Sequence, residues 1–534
     1  MRITNGIINN NTKSNILVNK EYSDKYNTMV ATGQKITRPS DDPIVAIRAL
    51  RLNNNISEIN QFYGKNIPDA EAWLEITETA LKQTEGVLSS VQEYLTQGAS
   101  DDNTAEDRKN ILENLKGLRD QIYSSGNADY AGRTVFTGYR TGESLTYLKD
   151  ETQLFTIVQN FNNKDLDDTK YVSGTVTQDP ADIASYDPTA YNQTNVEYKD
   201  ISRIKLAYEK LTDDQKDTDN AALPLTFTIK LSDGSEKQVT ATRTPLKDSA
   251  GNPLSQSDID DIYTSVPAGG AHLIPETGEL ILASDVADDM RKDGSTMTFT
   301  YAKSQWDKND PRPEHYFAAI TNDPEDPNTP PRKIRYNYSE DETKAETDPD
   351  RYYADFKNQK IQYEIAYNQK VEINVNANEV YTPYITRNVD ELLKVTQDCQ
   401  SSYEKLKKIE GFRDNESDET NKAKLNSLLD AAQKEYDYYK EKMQKTFSES
   451  ISIFKGYTND LNNKISALGS LDKRVELTKS RVSDQLQNFK ELADSNINVE
   501  LTESAIDLKN AETALQAAQA AAAKVAKTTL LDYL

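Results

Sequence analysis

The chain has little of what marks a catalytic or metal-binding protein. Cysteine occurs once in 534 residues, at Cys399. One thiol cannot close an intrachain disulfide, and a cysteine-based structural zinc site needs several thiolates. Histidine occurs twice, at His272 and His315, which is too few for a histidine cluster or a paired-histidine metalloprotease helix. No run of 18 apolar residues is present, so no segment reads as a membrane-spanning helix. After Arg2, Asn9-Asn10-Asn11 and Ser14 interrupt any apolar stretch, so no cleavable secretory signal is expected. Cytoplasmic residence and export by a route without such a signal both stay open.

Positive charge is also short. There are 63 Lys and Arg against 87 Asp and Glu, a net charge of -24, and no basic run. Nucleic acid is therefore not an expected partner, because phosphate contacts need a basic face. The excess acid reads as solvated surface. Gly269-Gly270 and Gly294 mark turns, and no phosphate-binding Gly-Lys-Ser/Thr loop exists. The acidic clusters Asp165–Asp168, Asp213-Asp214 and Asp258–Asp261 lack calcium-loop spacing and read as solvated loops. A glycosidase-type carboxylate pair is defined in space, and nothing in the sequence nominates one. No enzyme activity, catalytic residue, cofactor or metal is expected.

Long helical patterns at both ends dominate what is present. Residues Met1–Thr37 read as one polar, thinly amphipathic helix with Ile3, Ile7, Val18, Tyr22 and Met29 on a stripe. Such a stripe is too thin to hold an isolated helix. Gly33 offers a stop. Asp42 and Pro43 then supply an N-cap and first helical residue. Pro68 should end or kink the helix that follows. Leu74, Leu81, Leu88 and Leu95 repeat every seven residues, with Thr77, Thr84 and Val91 between them, a short coiled-coil stripe. A helix over about 105–124 buries Ile111, Leu115, Leu118 and Ile122. From about residue 150 the period changes to two. Leu225, Phe227, Ile229 and Leu231 alternate with polar residues, and Asp233-Gly234 turns them into a hairpin. Ile361–Tyr367 and Val371–Val375 predict a second hairpin, and Glu279–Ala283 and Thr296–Tyr301 further strands.

Helical period returns near Asn388, with Gly411–Lys422 as a polar break. Leu471, Val475, Thr478, Val482, Gln485, Phe489 and Leu492 make a second heptad seam, interrupted at Asp494-Ser495-Asn496. The last helix, Val499–Leu534, carries Leu501, Ser504, Leu508, Ala511, Leu515, Ala518, Ala522 and Val525, then Leu530, Leu531, Tyr533 and Leu534. Alanine on a seam allows close approach but buries little per residue, so several helices must cooperate.

Five segments carry a family resemblance. Thr32–Pro43 (TGQKITRPSDDP) resembles the loop between the first two helices of bacterial flagellin-like proteins. Asn66–Leu74 (NIPDAEAWL), Asn127–Thr141 (NADYAGRTVFTGYRT) and Asn374–Tyr381 (NVNANEVY) resemble the hook-associated protein 3, or hook–filament junction, family within that superfamily. Ala511–Leu534 (AETALQAAQAAAAKVAKTTLLDYL) is similar to that family's C-terminal helix. Pro68 and the segment 410–445, which looks like an insertion, depart from the pattern.

The resemblance implies a structural subunit in a ring that continues the flagellar helical lattice. It would join hook-associated protein 1 to flagellin. It implies unfolded export through the flagellar type III apparatus, with a cytoplasmic chaperone on the C-terminal helix, and an extracellular location on the flagellum. Flagellin-type filament subunit, cytoplasmic coiled-coil scaffold and an enzyme or binding domain displayed on the flagellum stand as alternatives. A buried carboxylate pair or deep cleft in 150–385 would favour the displayed domain.

The expected fold is α+β and elongated, with helical bundle layers from both chain ends and a β-rich outer insertion. Residues 1–40 and 495–534 would form the inner layer, pairing Met1–Thr37 with Val499–Leu534. Residues 41–150 and 385–494 would form the bundle layer, and 151–384 the outer domain. The expected assembly residues are Ile3, Ile7, Val18, Tyr22, Met29, Leu501, Leu508, Leu515, Ala518, Ala522, Val525, Leu530, Leu531, Tyr533 and Leu534.

Overall fold

The computed structural model describes residues 5–531, except 101, 213, 219, 224, 329, 346–347, 349–350 and 357–358, and no side chain at 5 or 525–531. The fold is α+β. Its α-helices are α1 (Asn5–Thr32), α2 (Pro43–Gln61), α3 (Ile67–Gly98), α4 (Ala105–Gln121), α5 (Gln256–Thr264), α6 (Ser284–Met290), α7 (Ala377–Val380), α8 (Tyr384–Asn415), α9 (Glu419–Ile497) and α10 (Leu501–Leu531). The strands are β1 (Asp129–Tyr130), β2 (Arg133–Thr134), β3 (Glu151–Asn162), β4 (Leu166–Ser173), β5 (Glu197–Lys205), β6 (Thr226–Lys230), β7 (Glu236–Arg243) and β8 (Gly270–Ile274). They continue as β9 (Glu279–Leu282), β10 (Thr296–Trp306), β11 (Ala318–Asn322), β12 (Lys333–Tyr336), β13 (Tyr338–Glu340), β14 (Tyr352–Ala354), β15 (Gln362–Ala366) and β16 (Gln369–Glu372).

The chain divides into two compact units. One holds Met1–Glu71, Gln362–Val371 and Asp472–Leu534; the other holds Ala72–Ile361 and Glu372–Leu471.

The second unit contains the large sheet, of order β12-β11-β3-β10-β6-β7-β8-β9-β5-β4. All its pairings are antiparallel except β7 with β8, and α5 lies in the connection between those two. In β6, Phe227 and Ile229 turn inward between exposed or half-buried threonines, as the period-two pattern predicts. Asp233-Gly234 closes the turn into β7, with Gly234 at φ +82. An aromatic core lies against the sheet. Trp306 stacks on Tyr147 at 5.1 Å and meets Phe155 edge-on at 5.5 Å.

The helices of this unit follow their heptads. Leu74, Leu81, Leu88, Leu95, Thr77, Thr84 and Val91 are all buried. The buried threonines satisfy their hydroxyls on carbonyls one turn back: Thr77 donates to Trp73 at 2.8 Å and Thr84 to Ala80 at 3.0 Å. Gln92 Nε2 donates to the Phe454 carbonyl and to Thr458 Oγ1, tying α3 to α9. Cys399 is buried in α8.

Several boundaries differ from the sequence reading. The first helix stops at Thr32 rather than Thr37, because Gly33 takes φ +70 and ends it. Pro68 does not end its helix. A π-helical turn at Phe62–Asn66 precedes α3, and the Ile67 N–H bonds back to the Phe62 carbonyl. Widening the helix there absorbs the bond that Pro68 cannot make. The polar break at Gly411–Lys422 shrinks to Glu416–Asp418. Helix continues on both sides because Ile409, Leu425 and Leu428 are buried against Val172, Val176 and Val196. Buried Glu435 fastens this helical hairpin: its carboxylate accepts the Val176 N–H at 2.8 Å and pairs with Lys405 at 2.6 Å. The seam of α9 also shifts. Leu486 and Ala493 are buried, whereas Gln485 and Leu492 are exposed. Two successive steps of four, Thr478–Val482–Leu486, keep the stripe aligned on a nearly straight helix, where strict heptads would drift. The helix runs on through Asp494-Ser495-Asn496 to Ile497.

The segments Asn127–Thr141 and Asn374–Tyr381 meet in the second unit. The Ala377 N–H donates to the Phe136 carbonyl at 2.8 Å, and Phe136 meets Tyr381 edge-on at 5.1 Å. Gly138 stands at φ +61, where a Cβ would come within 2.4 Å of Gln359 Oε1. His315 lies beside this joint, its Nε2 at 3.0 Å from the Ser144 carbonyl. Burial pushes its imidazole from 6.5 down to about 4, against the pull of Glu314 and the Ser144 bond. The unfolded chain thus takes up a proton near 6.5 that the folded chain refuses until about 4. Stability is full above the upper value and falls through that window by about 3 kcal/mol. Urea midpoints of wild type should drop across that acid window more steeply than those of His315→Gln; equal slopes would contradict the burial of a neutral imidazole.

Candidate assembly surface

The first unit brings both ends of the chain together. The Val499 N–H donates to the Gly33 carbonyl at 3.0 Å, and the Lys35 N–H to the Ile497 carbonyl at 2.7 Å. Lys35 Nζ adds a bond to the Ser495 carbonyl at 2.5 Å. These bonds set the end of α1 beside the start of α10, and the two helices pack antiparallel. This is the pairing expected of Met1–Thr37 with Val499–Leu534.

The loop leading from α1 to α2 is built by two adjacent aspartates. Asp41 Oδ2 accepts the Arg38 N–H at 2.9 Å and the Thr37 N–H at 3.1 Å. Those backbone donors hold its carboxyl below the usual range. Asp42 Oδ1 accepts the N–H groups of Ile44 and Val45 at 3.0 and 3.2 Å, and Pro43 opens the helix. The TRPSDDP segment is thus a helix-start device.

A second local device braces the π-turn. Asn66 Nδ2 donates to the Glu364 carbonyl at 2.8 Å. Gln369, at the start of β16, meets Thr478 at 3.3 Å and Arg481 at 2.5 Å, and Lys479 pairs with Glu71 at 2.6 Å. The hairpin of β15 and β16 is thereby fixed to α9.

Burial separates α1 and α10 from the rest of the molecule. No apolar side chain of either helix is fully buried among the described residues. The covered stripe of α1 is Thr12, Ile16, Asn19, Ser23, Tyr26 and Val30, all half-buried, with Met29 beside them. Its spacing of four and three is a heptad seam, but Thr12, Asn19 and Ser23 hide it from a search for apolar residues. On α10, Ser504 is buried, and Leu508, Ala511, Leu515, Ala518 and Ala522 are half-buried at the same spacing. The other expected residues remain uncovered: Ile7 and Tyr22 are each 51% exposed, Val18 45% and Leu501 58%. Ile3, Tyr533 and Leu534 lie outside the described residues, as do the side chains of Val525, Leu530 and Leu531.

More uncovered apolar residues join them in the same unit. Leu17, Ile44, Ile47, Leu50, Leu477, Leu492 and Ile506 are exposed. Ile44, Ile47 and Leu50 leave one side of α2 open. Exposed apolar rows of this extent mark interaction surfaces.

Helix α2 tests the local logic. Asp42→Ala should cost about 1 kcal/mol, read as faster hydrogen exchange at Ile44 and Val45; unchanged exchange would show that Pro43 alone sets the helix start.

The chain is similar to flagellar proteins over part of its length. The flagellar hook-associated protein 3 of Salmonella typhimurium is 29% identical over 142 residues, 26% of this chain and 44% of that protein. The flagellin of Clostridium tyrobutyricum is 25% identical over 143 residues, 27% of this chain and 38% of that protein. The chain thus spans less than half the length of each of these curated relatives. The crystal structure of flagellar hook-associated protein 3 from Legionella pneumophila aligns over 83% of this chain and 97% of its own, at 11% identity and a TM-score of 0.27. The family described as the bacterial flagellin N-terminal helical region matches residues 3–141.

Proposed function

We propose that this chain is a structural subunit of the bacterial flagellum that joins the hook side to the flagellin filament. The observation that carries the reading is the uncovered apolar surface of the unit holding both chain ends. That surface lies largely on a flagellin-type helical region. A helix pair that covers only one stripe on each member gains most of its burial from neighbours. Copies of this chain in a ring, hook-associated protein 1 on one side and flagellin on the other would supply those neighbours.

The proposed interface consists of Ile3, Ile7, Val18, Tyr22 and Met29 with Leu501, Leu508, Leu515, Ala518, Ala522, Val525, Leu530, Leu531, Tyr533 and Leu534. Before assembly the chain passes the flagellar export channel unfolded, with a chaperone shielding the C-terminal helix, and it works outside the cell. Thin helical stripes suit that route, because they stay unfolded alone and order on binding. The likeness to a flagellin supports a second reading, in which the chain is itself a filament subunit.

Cells lacking the chain discriminate the two. Bare hooks with flagellin lost to the medium would fit the junction role. Filaments lost because this chain forms their bulk would make it the flagellin, and normal filaments would contradict both readings. Leu515→Asp places a carboxylate on the α10 seam, where an unpaired charge costs several kcal/mol once buried. The variant should keep the wild-type melting of the second unit and leave hooks without filaments; filaments at wild-type number would remove α10 from the interface.

A further inference from the structure

The second unit contains a cavity of about 480 Å³, framed by β4, β5, α5, α8 and α9. That volume falls in the range of small-molecule sites. One wall is a finished ionic network. Arg203 pairs with Glu279, Glu391 and Asp167; Lys205 pairs with Glu391 at 2.6 Å; Arg387 pairs with Glu209 at 3.1 Å. Another wall is aromatic. Tyr171 and Tyr263 stack at 4.5 Å with an interplanar angle of 10°, and their hydroxyls are spent on Asp260 and Glu279.

Three charged groups lining the cavity are left out of this network. Lys394 on α8, Asp398 one turn further and Lys442 on α9 make no close side-chain hydrogen bond or ion pair among the described residues, and act on one another and on Glu279 only at longer range. Lys394 is exposed, and Lys442 and Asp398 are half-buried. The balance of the three is one positive charge in excess, in a protein of net charge -24. A half-buried ammonium with no close ion pair is costly, and burial with Arg203 and Lys394 nearby pushes the Lys442 amine down against the opposing pull of Asp398 and Glu279. A bound anion would relieve that cost.

We propose that this cavity binds a small organic monoanion, a carboxylate with a planar or apolar body. Its carboxylate bridges the Lys394 and Lys442 ammonium groups, and its body lies against Tyr439 and the Tyr171–Tyr263 stack. This gives the strand-bearing part of the chain a ligand that the assembly role does not require. The elements involved come from residues 169–279 and 387–442, so no single stretch of sequence displays the site.

The test uses the full chain and fluorobenzoate, followed by fluorine NMR of the ligand, with neutral fluorobenzamide as control. The benzoate should broaden and the amide should not. Lys394→Gln and Lys442→Gln should each weaken binding about tenfold or more, the loss of one charge-assisted contact. Lys442→Arg should restore it, and circular dichroism melts should match wild type. If Lys442→Gln fails to fold, the exposed Lys394→Gln carries the test by itself. Absence of benzoate broadening, equal broadening by the amide, or undiminished binding to Lys394→Gln would each overturn the proposal.

Discussion

The constraint on which the molecule depends is that α1 and α10 cannot bury themselves. Each is long, and each offers its partner one stripe of mixed small and polar residues. Thr12, Asn19 and Ser23 alternate with Ile16, Tyr26 and Val30 on one stripe, and Ser504, Ala511, Ala518 and Ala522 with Leu508 and Leu515 on the other. Such a seam permits close approach but removes little apolar surface from water. Helix formation alone supplies too little to hold long helices of this composition together. The backbone bonds at Gly33, Lys35, Ile497 and Val499 define the pair where α1 ends and α10 begins. The remaining apolar rows, from Ile7 through Leu50 to Leu501, stay exposed in the single chain.

The second unit shows the opposite economy. Its core is dominated by large side chains with almost no exposure, including Trp306, Tyr301, Phe299, Phe155 and Phe161. Several of its buried charged groups are matched. Glu435 finds Lys405 and the Val176 N–H, and Arg203 finds three carboxylates. A unit built this way closes its core without a neighbour. The sequence therefore separates a body with a packed core from chain ends whose helices cover only one stripe each.

Local devices were legible in the sequence because their physics is local. Asp42 with Pro43 starts α2, Leu74 through Leu95 line α3, and Asp233-Gly234 closes a hairpin, all from residues a few positions apart. The resemblance within residues 3–141 was legible for the same reason. What escaped depends on partners distant in sequence. The covered stripe of α1 contains polar residues that only α10 makes interior. The step from Val482 to Leu486 is a choice between two stripes, decided by what the helix packs on. Helix through Gly411 is stabilised by Val172 and Val196, more than 200 positions earlier. The strand order of the large sheet and the cavity holding Lys394 and Lys442 are likewise products of tertiary structure.

The central claim is that α1 and α10 are completed by neighbours, and amide hydrogen exchange measures this most directly. Exchange would be followed over residues 5–32 and 501–522 in the isolated chain and in the chain assembled on flagellar hooks. The account predicts fast exchange in the isolated chain and strong protection after assembly, with the second unit equally protected in both. Equal protection of the two terminal helices before and after assembly would contradict it.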